Sequence, residues 1–243
     1  MAASRFPNKP LYPILGKPML QHAYERASRW DGWDQLVIAT CDQEIKDFAT
    51  AQGFPVVMTG NHHKRALDRV AEAARILGFS DSYDDIVVNV QGDEPMMEPD
   101  MFPVLCAPIE ADSEIQATVL GMNIIDEAQW RNPDTVKIIA NDAGELLYTS
   151  RSAVPYNGGI FSVEMEATRI YGLFAFRAPT LQRFTEHSET RLELLEACDS
   201  NRILSMGFRQ HVAKYPYIPA FSVDSPEDIA VVEATLLAQA KDQ

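Results

Sequence analysis

The most constraining stretch of this chain is a short run, Ile86-Val87-Val88-Asn89-Val90, that opens directly into Gln91-Gly92-Asp93-Glu94-Pro95. β-Branched residues on both faces read as a strand covered on both sides, as a parallel sheet between helix layers requires. Leu36-Val37-Ile38-Ala39-Thr40 reads the same way. Helical segments separate such runs. Pro18 to Ser28 follows Gly16-Lys17-Pro18, with proline suited to a first turn. Gln43 to Gln52 has Asp42 as N-cap and Gly53 as its stop. Ala66 to Leu77 carries Leu67, Val70, Ala71, Ala74 and Leu77 at helical spacing and halts at Gly78. Strand and helix in alternation predict right-handed crossovers and an α/β fold with a doubly wound, mostly parallel sheet.

The second half is more mixed. Gln116 to Leu120, Val136 to Ile139 and Ile170 to Phe176 read as strands, while Ala178 to Phe184, Arg191 to Ala197 and Pro226 to Lys241 read as helices. With no repeat or low-complexity tract, the expectation is a single domain, 1–243, with a small mixed α/β lobe at approximately 115–180. A sheet of this type normally begins with an apolar strand, yet residue 1 already sits in a loop. The first strand is therefore expected to be missing.

Charge narrows the function. A net charge of −14 excludes nucleic acid as a partner, because phosphate backbones need clustered Lys and Arg. An acidic protein can still bind a nucleotide through a local cationic pocket or a bound cation. No apolar run approaches the ~20 residues that span a bilayer, so membrane insertion is not expected. No signal peptide is read, and a cytoplasmic location is expected. Cys41, Cys106 and Cys198 are scattered and build neither a disulfide framework nor a metal pair.

Three segments carry chemistry. The opening loop brings Arg5 and Lys9 towards a helix start, an arrangement suited to phosphate. Asp93 and Glu94 lie at the carboxyl end of a buried strand, where α/β sheets bind ligands, and a carboxylate there suits Mg²⁺. Val223-Asp224-Ser225-Pro226-Glu227-Asp228 is a helix start, and by itself Asp224 is only a cap.

Together and in this order these segments resemble the 3-deoxy-manno-octulosonate (Kdo) cytidylyltransferases, over nearly the whole chain. Ala2 to Leu11 is similar to the family's S-x-R-x-P-x-K-P-L loop, with Ala3 in place of a serine, and Gly16-Lys17-Pro18-Met19 to its helix start. Asn89-Val90-Gln91-Gly92-Asp93-Glu94-Pro95 reproduces its N-V-Q-G-D-E-P signature. Asn132-Pro133, Val136-Lys137, Tyr148-Thr149-Ser150-Arg151, Val154-Pro155 and Asp224-Ser225-Pro226-Glu227-Asp228 follow it further.

The resemblance implies a Rossmann-like nucleotidyltransferase fold and attack by the anomeric hydroxyl of a 2-keto sugar acid on the α-phosphorus of CTP. Pyrophosphate leaves, and the product serves lipopolysaccharide or another cell-surface glycan. It implies Mg²⁺ as cofactor on Asp93 and Asp224, with Arg5, Lys9 and Asp93 as catalytic groups. Ala3, Arg5, Lys9, Arg65, Asp68, Arg69 and Gln91 would bind nucleotide. Ser150, Arg151, Arg169, Tyr171, Glu193 and Glu196 would bind the sugar acid. A homodimer is implied through the mixed second half. No general base is evident, so metal-assisted deprotonation of the hydroxyl is the expectation.

The chain also departs from the pattern. Arg65-Ala66-Leu67 replaces the family's S-G-T. The segment Arg169 to Arg177 lacks its histidine, and Ala197-Cys198-Asp199 replaces Q-L-R after Glu193 and Glu196. A rebuilt sugar pocket leaves amino-Kdo or a nonulosonate as acceptor open. A CMP-nonulosonate synthetase and an inactive nucleotide-binding paralogue are the alternatives.

Overall fold

The structure, a computed structural model, describes residues 6, 8–63, 65–219, 222, 223 and 225–239. Along the chain run β1 (Pro13–Ile14), β2 (Lys17–Pro18), α1 (Met19–Ala27), β3 (Ile38–Thr40), α2 (Gln43–Gln52), β4 (Val56–Met58) and α3 (Ala66–Ile76). Then come β5 (Ile86–Val90), α4 (Met101–Ala111), β6 (Ala117–Asn123), α5 (Glu127–Arg131), β7 (Lys137–Ala140), β8 (Leu146–Ser150) and β9 (Thr168–Arg177). The remainder is α6 (Ala178–Glu186), α7 (Arg191–Glu196), α8 (Ser200–Ser205), β10 (Gln210–Tyr215) and α9 (Pro226–Gln239). None of the helices among the described residues is long and apolar enough to cross a membrane.

The chain forms two compact units. The first comprises Met1–Leu77, Val90–Phe102 and Ile218–Gln243. In it β3 and β4 pair in parallel, Ile38 opposite Val56 and Thr40 opposite Met58, with α2 as the crossover. The left-handed Gly53 (φ 73) ends α2, and the chain turns back at once, the Phe54 amide bonding to the Ala49 carbonyl at 2.8 Å. The apolar side of α2, Ile45 and Ala49, closes with Ile38 on Leu11, Leu20, Tyr24 and Val56. Tyr24 stacks on Phe54 at 4.2 Å between centroids.

The second unit comprises Gly78–Asn89 and Pro103–Tyr217, and so takes in the mixed segment 115–180. Its sheet runs β10-β6-β9-β7-β8, with β5 also on β9. β10 and β6 are parallel, whereas β9 is antiparallel to both β6 and β7, so the sheet is mixed. Nine of the ten β9 residues are buried, so side chains on both alternating faces of the strand are covered. β6 bulges between Val119 and Gly121, and a Cβ on Gly121 would come within 2.6 Å of the Val212 side chain. Arg177, at the end of β9, is buried and donates to the carbonyls of Tyr83, Ile109 and Ile115 at 3.1, 2.6 and 3.1 Å. The expected α/β class with a central many-stranded sheet holds.

Candidate active site

In the first unit a turn follows Val90, the last residue of β5. The chain turns there, the Glu94 amide bonding to the Gln91 carbonyl at 3.2 Å. Gly92 is tightly placed: a Cβ on it would meet the Leu20 side chain at 3.3 Å. The turn presents the Asp93 carboxylate, and Lys9 Nζ meets it at 2.7 Å. Lys9 comes from a short 3₁₀ turn, Lys9–Leu11, entered through the left-handed Asn8 (φ 58). Asp93 keeps 29% of its side chain exposed against 13% for Lys9, so the carboxylate still faces solvent. On the other side the Val223 amide donates to the Asp93 carbonyl at 3.0 Å, and Ser222 Oγ donates to the Glu94 carboxylate.

Of the other residues expected at the nucleotide, Arg65 takes the N-cap position of α3 and Asp68 lies in its first turn. Arg69 reaches back to Thr59 Oγ1 at 2.6 Å and to the Gly60 carbonyl at 3.3 Å, fixing the β4–α3 loop. Gln91 is half-buried. Ala3, Arg5 and Asp224 lie outside the described residues.

The second unit gathers Tyr148, Ser150 and Arg151 around Glu196. Tyr148 Oη and Ser150 Oγ donate to its carboxylate at 2.8 and 3.0 Å, and the Arg151 amide at 2.8 Å. The Arg151 guanidinium donates to the Glu196 and Pro133 carbonyls at 2.8 and 2.7 Å. Burial works to raise the Glu196 carboxyl, but these hydrogen bonds and the Arg151 charge outweigh it and hold the group below the usual carboxylate range. The hydrogen bond to Glu196 pushes the Tyr148 phenol up, with burial acting in the same sense.

Beneath this hub Lys137 is fully buried and donates to the carbonyls of Asn132, Thr135 and Arg151 at 2.8, 2.6 and 2.8 Å. Burial, aided by the Arg151 charge and opposed by Glu196, lowers its pKa to about 8. Tyr148 and Lys137 were not among the residues expected here. Tyr148 is legible in hindsight, because it lies two residues before Ser150 and so shares its face of β8.

Glu193, Arg169 and Tyr171, also expected at the sugar acid, are buried side chains. Glu193 is fully buried, bound by Arg202 Nε at 2.7 Å and by the Thr190 amide at 3.0 Å within a capping box. The Arg202 bond ties α7 to α8. Arg169 and Tyr171 are buried on β9, the guanidinium 5.6 Å from the tyrosine ring centre. Neither joins the Glu196 group in the described contacts.

A strand-end carboxylate with a lysine against it, in an α/β sheet, is the equipment of a nucleotidyltransferase. Residues 1–213 match the family model described as cytidylyltransferase. A 3-deoxy-manno-octulosonate cytidylyltransferase of Nitratidesulfovibrio vulgaris is 42% identical over 95% of this chain and 90% of its own. An 8-amino-3,8-dideoxy-manno-octulosonate cytidylyltransferase of Shewanella pealeana is 39% identical over 96% and 94%. The structure of CMP:2-keto-3-deoxy-manno-octonic acid synthetase complexed with CTP superposes with a TM-score of 0.86 at 32% identity, covering 98% of this chain and 94% of that one. The chain belongs to the cytidylyltransferase family, among the 3-deoxy-manno-octulosonate cytidylyltransferases.

Proposed function

We propose that this protein transfers CMP from CTP to the anomeric hydroxyl of a Kdo-type 2-keto-3-deoxy sugar acid and releases pyrophosphate. The observation that carries the reading is the Lys9–Asp93 pair at the end of β5. A cation and an exposed carboxylate side by side form a charge-balanced cradle for a triphosphate that arrives with its metal. With nucleotide bound, Lys9 would exchange the aspartate for phosphate oxygens, which leaves Asp93 as a residue that would hold the metal. The donor set suits Mg²⁺, a hard oxygen-seeking cation, with Asp93 and Asp224 to hold it. The bond from Val223 to Asp93 supports this, since it ties the residue preceding Asp224 to the same turn. When bound, Mg²⁺ offsets phosphate charge and lowers the pKa of a coordinated hydroxyl.

The residues themselves position and stabilise. Lys9, with Arg5, offsets the negative charge that builds on the departing pyrophosphate. Arg65, Asp68, Arg69, Gln91 and the backbone at Ala3 complete the nucleotide side, Arg69 by holding the loop. Ser150 and Arg151, held by Glu196, receive the sugar acid, whose carboxylate suits a guanidinium. Arg169 and Tyr171 support the same unit from β9. We place the reaction in the cytoplasm, where CTP is available, in a homodimer. Its product is an activated sugar for a cell-envelope glycolipid.

The 8-amino acid is a second acceptor, favoured by a relative named for it at 39% identity beside one named for Kdo at 42%. Pyrophosphate release from CTP with Mg²⁺ and a panel of Kdo, 8-amino-Kdo and a nonulosonate tests the reading. Release with either octulosonate is expected. Turnover with the nonulosonate alone overturns the acceptor, and no release with any acid leaves only nucleotide binding.

A further inference from the structure

The loop between β4 and α3 carries His62 and His63 in succession, and Glu72 projects from α3 one turn beyond Asp68. One nitrogen from each imidazole and one oxygen of the carboxylate all lie within 4.8 Å of one another. The ring centres are 4.2 Å apart and the planes tilted by 41°. Glu72 is held in place from two sides, by His63 Nε2 and by the Gly60 amide at 2.9 Å. The His63 hydrogen bond, then that of Gly60, keeps its carboxyl below the usual range and therefore ionised.

Gly60 shapes the cluster. A Cβ there would fall 2.3 Å from His62 Cε1 and 2.4 Å from Nδ1, so any other residue would push the ring away. Arg69, from the same face of α3, grips Thr59 Oγ1 and the Gly60 carbonyl. An ion pair that merely pins the loop explains His63 and Glu72. It does not explain why His62 folds back over a glycine onto the same carboxylate.

Two imidazoles and one carboxylate are the donor set of borderline divalent metals, whereas Mg²⁺ prefers oxygen alone. Zinc bonds of 2.0–2.1 Å put tetrahedral ligand atoms roughly 3.3 Å apart, so a bound ion would part His63 from Glu72 and draw in the exposed His62 side chain. We propose that His62, His63 and Glu72 bind a divalent transition-metal ion of the zinc class, which clamps the β4–α3 loop to α3. This site is separate from the Mg²⁺ site at Asp93. Its existence does not depend on the proposed reaction. Only the consequence does: a clamped loop would stiffen Arg65 next to the nucleotide.

The test uses the chelator-treated full-length chain in millimolar Mg²⁺, on an Asp93→Asn background that silences the oxygen-ligand site. Titration calorimetry with Zn²⁺ should give one equivalent per chain, and Co²⁺ should develop the strong visible bands of tetrahedral nitrogen and oxygen ligation. His62→Gln, an exposed change with little bearing on folding, should raise the zinc dissociation constant by at least about tenfold. The Co²⁺ spectrum of the Asp93→Asn chain provides a readout independent of that variant. Unchanged zinc affinity in His62→Gln, or a featureless Co²⁺ spectrum, overturns the proposal.

Discussion

At the scale of single residues, the Lys9–Asp93 pair sets two opposite demands on one carboxylate. It neutralises a largely buried lysine, and under the proposed reaction it would be released from that lysine to hold the metal that accompanies the nucleotide. Asp93→Asn keeps the shape and removes the charge. It should lower kcat by about 10²–10³, the range seen when one aligned electrostatic group is lost, and raise the Mg²⁺ concentration needed for half-maximal rate. Normal metal-dependent turnover in this variant would remove Asp93 from the chemistry. Glu196→Gln weakens three hydrogen bonds at once in the group proposed to receive the sugar acid, so it should raise KM for the sugar acid about tenfold and leave KM for CTP unmoved. Equal changes in both would make Glu196 a folding residue. Lys137 makes a prediction in pH. Its folded pKa of about 8 lies below the ordinary 10.5, so between these values the unfolded chain binds more protons and stability rises with pH. Relative to Lys137→Met, the native chain should therefore gain stability from pH 8 to 10 in urea melts. A flat difference would mean that the three carbonyls hold the ammonium charged.

At the scale of elements, α7 and α8 have six residues each, too few to be helical without tertiary support. The support is Arg202. It binds Glu193, donates to the Phe184 and His187 carbonyls at 3.3 Å, and lies 4.3 Å from the Phe184 ring centre. Arg202→Leu strands a buried carboxylate and should cost about 3–5 kcal/mol in urea unfolding, while Glu193→Leu with Arg202→Leu should recover most of it. A double variant as unstable as the single would show that the pair contributes more than mutual neutralisation. This pair also shows what the sequence could not convey. Glu193 and Glu196 are three apart on one helix and look equivalent. Which one turns inward depends on Arg202, a partner beyond the motif. Local signals served better where they were complete. β5 and α2 begin and end where β-branching, Asp42 and Gly53 place them. α4 was hidden because Pro108 sits inside it, and β4 and β10 because three to six residues of ordinary pattern carry little periodicity. Asp93 was legible from its strand end alone. The Glu196 hub joins residues 45 to 48 apart and exists only in the folded unit.

For the whole molecule, charge and apolar surface pull against each other. Each chain carries a net charge of −14, so two copies repel, most of all at low ionic strength. Yet among the described residues the second unit exposes Tyr156, Ile160 and Val163 by 75, 70 and 54% within eight positions. Apolar side chains so exposed and so close are the kind of surface that suits a partner. A second copy of this chain is the partner that the proposed homodimer needs. Coulomb repulsion then opposes association and apolar burial drives it, which fixes the sign of the salt effect. Sedimentation equilibrium should show a dimer whose dissociation constant falls as NaCl is raised, the reverse of an interface held by ion pairs. Ile160→Glu places a further negative charge on that surface and should weaken the dimer by about 10²-fold or more, with the fold kept because the side chain is exposed. A monomer at micromolar concentration, or a dimer loosened by salt and indifferent to Ile160→Glu, would rule out this surface as the interface.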